Sequence, residues 1–315
     1  MDLAAIKEAQ ERIKPFVKRT RLERSEALSQ LLRANVFVKL EMFQKTGSFK
    51  VRGAFNKLLS LSERERRDGV VAVSGGNHAQ AVAYAATALG INSLILMPEN
   101  TPQNYLDAAR GYGARIELLP TIAAAFAELE RHQAEGRVLV HPFDDPLVIA
   151  GQGTIGLEIL EDLPDATDVF ASIGGGGMAG GVAIAVKAVK PEARIWSVET
   201  EGADAMSQAL AAGEPVELPA ITSIAKTLGA PAVSPRTLRL TQENIESVTV
   251  VSDREAVEAL RFILERLKVL TEPASSCTLA AALRLKNQFK PQDNVVLIFC
   301  GGNFSLTDLC RYGNL

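Results

Sequence analysis

The chain has 315 residues, 47% of them hydrophobic and 23% charged, which is typical of a folded globular protein of about two domains. A net charge of −3 gives no overall attraction to a phosphate backbone, and with only 5% aromatic residues there is little base-stacking surface. We therefore expect no nucleic-acid partner. No apolar run reaches the roughly 18 residues of a membrane helix, so we expect no membrane partner either.

The cysteines and the N-terminal segment indicate the compartment. Cys277, Cys300 and Cys310 lack the C-x-x-C spacing of a metal or redox pair. The first 20 residues are rich in charge and contain no apolar stretch of the secretory type. The sequence therefore predicts a cytoplasmic protein, and its length leaves no room for an added C-terminal regulatory module.

Short β-branched runs alternate with longer segments of helical spacing along the chain. In chain order, the predicted strands cover 71–73, 93–97, 115–119, 169–173, 194–198 and 295–299, and the predicted helices cover 78–89, 103–112, 122–133 and 179–190. This alternation predicts crossover units and a mostly parallel, doubly wound α/β fold. Composition breaks at 142–146 and 151–153 predict one lobe from about 53 to 146.

The most informative local feature is the run of glycines from Gly174 to Gly177, between a predicted strand and a predicted helix. Glycine loses more backbone entropy on folding than any other residue, so this position requires exposed amides or unusual dihedrals. Free amides at a helix N-terminus bind anions, which favours a phosphate site. Tight packing against a sheet is the alternative. A dinucleotide site is a weaker one, since only Glu199 has suitable spacing for a ribose.

Three further motifs could carry chemistry. Lys50 in G-S-F-K-V-R-G-A has apolar and cationic neighbours that would make it a Schiff-base nucleophile, although most lysines are solvated surface groups. The turn S-G-G-N-H-A-Q, residues 74–80, could bind a ligand or could simply cap a helix through Ser74 or Asn77. Cys300 follows the last strand, where open α/β sheets place ligands, but lone buried cysteines usually act as small hydrophobes.

Two other chemistries are disfavoured. The three histidines, His78, His132 and His141, have no paired-ligand spacing, so we expect no zinc site. There is no G-x-S-x-G motif, which argues against a Ser-His-Asp hydrolase on this scaffold.

With H-P-F-D-D-P-x-V-I-A-G-Q-G-T at 141–154 and the final G-G-N, these motifs resemble the fold-type-II pyridoxal-phosphate enzymes, in particular the threonine/serine dehydratase and serine racemase group. The resemblance implies a tryptophan synthase β-like α/β fold, with two doubly wound open-sheet lobes and the cofactor in the cleft between them. Residues 1–52 and 147–315 would form the large cofactor-binding domain, and 53–146 a small mobile domain. It also implies a homodimer.

The resemblance assigns roles to individual residues. Lys50 would bind pyridoxal phosphate as a Schiff base and act as the base at the substrate Cα. Phe49 would pack beside the ring, and Asn77 would contact its phenolic oxygen. Cys300 would face the pyridine nitrogen. The phosphate would be held by Gly174, Gly175, Gly176, Gly177 and the amide of Met178, and the substrate by Ser74, Gly75, Gly76, Asn77, His78 and Phe143.

The implied reaction is dehydration and deamination of a β-hydroxy-α-amino acid, L-threonine or L-serine by default, to a 2-oxo acid and ammonia. A thiol is too weak an acid to keep the pyridine nitrogen protonated, which favours early loss of the β-hydroxyl. Racemisation is an alternative, as is a protein that binds the cofactor without turnover. Racemases of this group carry a serine on the face opposite the lysine, where this chain has Gly75. This difference favours dehydration.

Other departures concern the substrate and a cation. Gly75 and Phe143 could leave an enlarged pocket for a phenylserine. Lys226 replaces an acid in S-I-A-K-T, where it could supply positive charge or recognise 3-hydroxyaspartate. Glu199 and the Ala203 carbonyl match the family's cation ligands. The expected aspartate is missing, because residue 205 is alanine and Asp204 is its neighbour, so a divalent ion would bind weakly, with a monovalent ion or none as alternatives.

Overall fold

The computed structural model describes residues 1–312; residues 313–315, which end the predicted large domain, lie outside that range. Its strands are β1 (Leu22–Arg24), β2 (Asn35–Leu40), β3 (Val70–Val73), β4 (Ser93–Pro98), β5 (Arg115–Leu119), β6 (Val138–Leu139), β7 (Asp168–Ser172), β8 (Arg194–Thr200), β9 (Ser247–Val251) and β10 (Asn294–Phe299). Its helices are α1 (Leu3–Ile13), α2 (Glu26–Leu32), α3 (Lys50–Leu59), α4 (Glu63–Asp68), α5 (Asn77–Ala88), α6 (Gln103–Gly111), α7 (Ile122–Ala134), α8 (Pro146–Asp162), α9 (Gly177–Val189), α10 (Ala205–Ala212), α11 (Pro235–Asn244), α12 (Asp253–Phe262), α13 (Pro273–Arg284) and α14 (Leu306–Tyr312).

The strands form two sheets. The six-stranded sheet has the order β1-β2-β10-β7-β8-β9, and the four-stranded sheet has the order β5-β4-β3-β6. Every strand pair in them is parallel except β1 with β2. The predicted α/β class with two open, doubly wound sheets is confirmed. None of the described helices has the length and apolar character needed to cross a membrane.

The central strand β10 explains where functional residues can gather. Residues Val295–Phe299 are fully buried, as expected for a parallel strand covered by helices on both faces. β10 pairs with β2 on one side and β7 on the other. Just beyond its end, Gly301 forms an isolated bridge with Ser48, which brings the residues preceding α3 to the carboxyl edge of the sheet.

A buried ionic cluster fixes the start of α3. Arg52 is fully buried and donates to both carboxylate oxygens of Glu41, at 2.8 Å each, and to those of Glu158, at 2.6 and 2.8 Å. Lys39 Nζ donates to Glu158 Oε2 at 2.6 Å. Two positive and two negative charges therefore balance inside the protein. The cluster joins β2, the turn after it, α3 and α8.

Helices α3, α8 and α9 cross at glycines that allow their backbones to touch. A Cβ added at Gly181 of α9 would lie 2.4 Å from the carbonyl oxygen of Ile149 in α8. A Cβ at Gly151 of α8 would lie 2.7 Å from the carbonyl oxygen of Arg52 in α3. Such distances exclude any side chain, so the glycines set the helix spacing around the end of β10.

We expect Gly181→Ala to lower the free energy of unfolding by about 1–3 kcal/mol, because the new methyl meets backbone that cannot move aside. The matched control is Gly180→Ala in the same helix, whose Cβ would meet only the Leu240 side chain, at 3.2 Å from its Cδ1 and 3.4 Å from its Cβ. Alanine favours helix over glycine by up to about 1 kcal/mol, so the control should be neutral or stabilised. Denaturant unfolding followed by circular dichroism measures both. Equal stabilities would contradict the close contact.

Candidate active site

A cavity at the carboxyl ends of β7 and β10 brings the predicted cofactor residues together. It is lined by Phe49, Lys50, Asn77, Phe143, the Gly174–Met178 segment and Cys300. These residues come from five distant parts of the chain. The bridge between Ser48 and Gly301 places Phe49 and Lys50 next to Cys300, and the Phe49 amide donates to the Cys300 carbonyl at 3.0 Å.

Lys50 begins α3 and projects into this cavity. Its Nζ donates to the carbonyl oxygen of Pro142 at 2.8 Å and lies 5.1 Å from the centroid of the Phe49 ring. Removal from water disfavours the charged amine, and this desolvation lowers the pKa of Lys50 to about 8. An amine with such a pKa is a nucleophile and a base near neutral pH.

The four glycines lack side chains because neighbouring groups occupy the space. A Cβ at Gly174 would lie 2.6 Å from the Leu228 carbonyl oxygen, and one at Gly175 would lie 2.1 Å from the Phe143 ring. Gly176 has φ of +91°, a conformation that favours glycine. The first amides of α9 follow directly and have no partner within the helix, so they can receive an anion. The loop is therefore tightly packed and also presents free amides, and phosphate binding by those amides stays a prediction.

Cys300 is a buried, neutral thiol. Its Sγ lies 3.2 Å from Ser275 Oγ, and Ser172 Oγ donates to it at 3.5 Å. Burial raises the pKa of the thiol to about 12, with the nearby Glu272 carboxylate adding to the effect. The two serines hold the sulfur at the floor of the cavity, where it can offer only a weak hydrogen bond.

Glu272 is a cavity residue that no sequence motif indicated. It immediately precedes α13 and is 2% exposed. Its carboxylate accepts hydrogen bonds from Asn77 Nδ2, at 2.9 and 3.2 Å, and from Thr227 Oγ1, at 3.0 Å. Asn77 Oδ1 in turn accepts from Asn303 Nδ2 at 2.8 Å. These bonds fix which end of the Asn77 amide is the donor. Burial also raises the pKa of Glu272.

The predicted substrate turn lies between β3 and α5; Asn77 lines the cavity, whereas Ser74, Gly75 and Gly76 are not among the lining residues. Ser74 Oγ accepts from the Gly76 amide at 3.2 Å, and a Cβ at Gly76 would lie 3.7 Å from the Thr227 methyl group. The His78 imidazole lies outside the cavity lining, with Nε2 2.7 Å from the Val140 carbonyl oxygen. Burial lowers the pKa of His78 to about 3, so the ring is neutral and Nε2 donates. If His78 contacts a substrate, it therefore does so through its backbone.

Lys226 and Thr227, neighbours in S-I-A-K-T, differ in where their side chains lie. Thr227 lines the cavity, whereas Lys226 is exposed and its Nζ lies 3.4 Å from the Ile221 carbonyl oxygen. Lys226 therefore supplies no positive charge to the cavity, and it is not positioned to bind an acidic substrate there.

The expected cation ligands do not fit a divalent ion. The Glu199 carboxylate already accepts from the amides of Met206 and Ser207, at 2.9 and 2.8 Å, and from Ser207 Oγ at 2.6 Å. Asp204 is partly exposed and accepts from Gln208 instead. Burial raises the pKa of Glu199 to about 7. α10 and Ser207 hold this carboxyl group in place of an ion.

Within residues 1–312, one cluster of side chains has metal-ligand character away from the cavity: Glu117, Glu128 and His132. The Arg131 guanidinium lies 3.2 Å from His132 Nε2 and also pairs with Glu128. A cation is thus already present among these groups, and the cluster is explained as surface ion pairing.

The chain resembles proteins of one family over nearly its whole length. Residues 13–301 match the family described as pyridoxal-phosphate dependent enzyme. An L-threonine ammonia-lyase of Thermotoga maritima is 40% identical over 99% of this chain and 78% of that protein. The L-threonine dehydratase catabolic TdcB of Staphylococcus aureus is 38% identical over 98% of this chain and 90% of its own length. Maize serine racemase superposes with a TM-score of 0.94 at 37% identity, covering 99% and 97% of the two chains.

Fold and cavity together define a fold-type-II enzyme. The chain belongs to the pyridoxal-phosphate dependent enzymes, and the predicted family and cofactor are confirmed. The cavity fits this cofactor on its own chemistry. It offers an amine of lowered pKa, an anion site without side chains and a neutral thiol between two serines. Which residues contact the bound cofactor stays a prediction.

We expect Lys50 of the cofactor-free enzyme to react with acetic anhydride half-maximally near pH 8, because only the neutral amine is nucleophilic and burial keeps it neutral. Competitive labelling with mass spectrometry measures this reactivity, and the exposed Lys226 in the same sample serves as the internal control. A Lys50 midpoint no lower than that of Lys226 would contradict the lowered pKa.

We expect Glu272→Ala to weaken binding of pyridoxal phosphate to the apoenzyme roughly 5- to 100-fold, because the Asn77 amide loses its acceptor and its orientation. The matched control is Glu272→Gln, a side chain of the same shape that keeps an acceptor oxygen. Its dissociation constant for pyridoxal phosphate is expected to lie within about threefold of the parent value. Absorbance titration measures both dissociation constants. An unchanged constant for Glu272→Ala would show that Asn77 needs no such support.

Proposed function

We propose that L-threonine and L-serine are the substrates that this pyridoxal-phosphate-dependent ammonia-lyase dehydrates and deaminates to 2-oxo acid and ammonia. The main observation behind this proposal is that one cavity contains both a Lys50 amine of lowered pKa and a neutral Cys300 thiol. Relatives named L-threonine ammonia-lyase and L-threonine dehydratase support it. Structural neighbours named threonine deaminase and L-serine ammonia-lyase add to this support.

In this proposal, Lys50 Nζ takes the proton from the substrate Cα. The bound cofactor supplies an electron sink for the pair of electrons left there. The proton held by Lys50 and the hydroxide that leaves Cβ together make one water molecule. In the structure the Pro142 carbonyl accepts from Lys50 Nζ at 2.8 Å, a contact that Lys50 would give up to reach the Cα proton.

The remaining residues bind and orient. The amides of Gly174–Met178 would hold the phosphate, and Asn77, fixed by Glu272, would donate to the phenolic oxygen. Cys300 would face the pyridine nitrogen without protonating it, because its pKa near 12 keeps it a poor acid. The turn from Ser74 to His78 would receive the substrate carboxylate through backbone donors. Phe143, packed on Gly175, would cover the phosphate loop.

Small substrates fit the cavity better than the bulky or acidic alternatives. The space beside Gly75 is filled, because a Cβ there would lie 2.8 Å from Thr101 Oγ1. The expected enlargement for a phenylserine is thus not available on that side. Lys226 lies outside the cavity lining, which removes the argument for 3-hydroxyaspartate. Threonine and serine are left as the proposed pair.

The assembly and location stay proposals that rest on the family resemblance. We propose a homodimer in the cytoplasm, with residues 53–146 as a lobe that moves over the substrate. The buried free thiols Cys277 and Cys300 support a reducing compartment. The loop between the lobes is tied to both sides, with Asp145 paired to Lys57 and Asp144 to Arg236, at 2.8 Å each.

We expect the purified holoenzyme to release 2-oxo acid from L-threonine and L-serine and little from phenylserine or 3-hydroxyaspartate. Lys50→Ala should abolish release, a loss of at least about 100-fold, because it removes the base. Lys226→Ala is the matched lysine control and should leave release from both substrates unchanged. Coupled reduction of the 2-oxo acid by a dehydrogenase measures the rate. Full activity of Lys50→Ala, or silence with both substrates, would contradict the proposal.

The same assay tests the cation. Because Glu199 is already held by α10 and Ser207, a chelator should leave the rate unchanged and Mg²⁺ should not raise it. A rate that depends on Mg²⁺ and is lost in Glu199→Gln would show that the ion displaces Ser207.

A further inference from the structure

A second cavity lies outside the active site, between α1, the start of α8 and α11. Its volume is about 220 Å³, against about 50 Å³ for the active-site cavity. Three arginines line it, Arg12 of α1 together with Arg236 and Arg239 of α11. Among the described residues of the lining, Glu8 is the one carboxylate. The proposed reaction uses none of these four side chains.

The walls of this cavity combine charged and apolar groups. Arg236, Arg239 and Leu240 are spaced three and four residues apart on α11, so they share one face of that helix. Leu147 and Ala150 of α8 add apolar wall from the other side. A guanidinium group matches the planar shape of a carboxylate and can donate two parallel hydrogen bonds to it. Guanidinium groups beside a hydrocarbon wall therefore suit an anion with an apolar body.

The positive charges in this cavity are only partly neutralised. Arg236 pairs with Asp144 at 2.8 Å, whereas Arg12 donates to a neutral side-chain oxygen at 2.7 Å. Arg239 is exposed and has neither an ion pair nor a side-chain hydrogen bond within residues 1–312. Three guanidinium groups set against the carboxylates of Glu8 and Asp144 leave one positive charge unbalanced. This excess matches a single carboxylate better than a phosphate dianion.

We propose that this cavity binds a small aliphatic monocarboxylate, and that its occupancy weakens the hold of the enzyme on its cofactor. Arg236 and Arg239 bind the carboxylate, and the hydrocarbon chain packs against Leu147 and Leu240. Arg236 donates to Asp144 through one nitrogen only, so its other N–H groups are available to the ligand.

Asp144 connects this cavity to the active site. It directly follows Phe143, which lines the active-site cavity and packs where a Cβ of Gly175 would lie. A second anion on the Arg236 guanidinium repels the Asp144 carboxylate and weakens the ion pair between the two residues. The segment that covers the glycine loop is then held less firmly, so the cofactor binds less tightly. This coupling rests on the proposed phosphate site, whereas the monocarboxylate site itself does not.

The first experiment titrates hexanoate into the holoenzyme at low salt and follows the heat of binding. We expect one saturable site per chain, which hexanamide, with the same shape and no charge, does not fill. Arg239→Gln should weaken hexanoate binding roughly tenfold or more, because it removes a charged donor. The matched control is Arg254→Gln in α12, an exposed arginine outside the cavity lining, which should stay within about twofold of the parent. Asp144→Asn should tighten binding about two- to fivefold, because it removes the competing carboxylate.

The second experiment measures the dissociation constant of pyridoxal phosphate from the apoenzyme by absorbance titration, with and without saturating hexanoate. We expect hexanoate to raise this constant about fivefold, and the apoenzyme to bind hexanoate more tightly than the holoenzyme by the same factor, since such coupling is reciprocal.

The outcomes separate the site from its effect. The absence of saturable binding, or binding that Arg239→Gln leaves unchanged, would overturn the site. Saturable binding with an unchanged constant for pyridoxal phosphate would overturn the coupling. Both experiments are carried out without substrate, so their results do not depend on whether L-threonine and L-serine are the substrates.

Discussion

The fixed orientation of Lys50 depends on the buried charges around Arg52, two residues further along α3. Arg52 is held by two carboxylates at once, and one of these, Glu158, is shared with Lys39. Removing one member of such a group leaves an unpaired buried charge, which typically costs about 3–5 kcal/mol. The group is neutral overall and joins β2, α3 and α8, so the first turn of α3 cannot rotate independently of the large sheet. The direction of the Lys50 side chain is thereby set by contacts outside the cavity.

Within the cavity, burial drives every titrating group toward its neutral form. It lowers the pKa of Lys50 and raises those of Glu272 and Cys300. A protein interior without water penalises isolated charges, which is why each of these pKa shifts is toward the neutral form. The α9 N-terminus adds a permanent dipole beside the glycine loop, and this dipole favours an anion. An anionic cofactor is thus complementary to this end of the cavity.

The sequence predicted the fold and the candidate residues that lie in contiguous motifs. This was possible because the backbone requirements of a glycine run or a strand-to-turn junction depend mainly on neighbouring residues in the chain. It missed Glu272, because a lone glutamate before a proline reads only as a helix start and its partners lie at Asn77 and Thr227. Lys226 was singled out for its charge, yet its neighbour Thr227 is the residue that enters the cavity. Side-chain direction in a loop is decided by tertiary packing, which no local pattern encodes.

The same cavity would also set the course of the proposed reaction. If Cys300 faces the pyridine nitrogen, a thiol whose pKa burial raises to about 12 leaves that nitrogen unprotonated. The deprotonated substrate is then short-lived, which favours immediate loss of hydroxide from Cβ. In this proposal the leaving group on Cβ decides the outcome, because a substrate that carries one is consumed as soon as its Cα proton is removed.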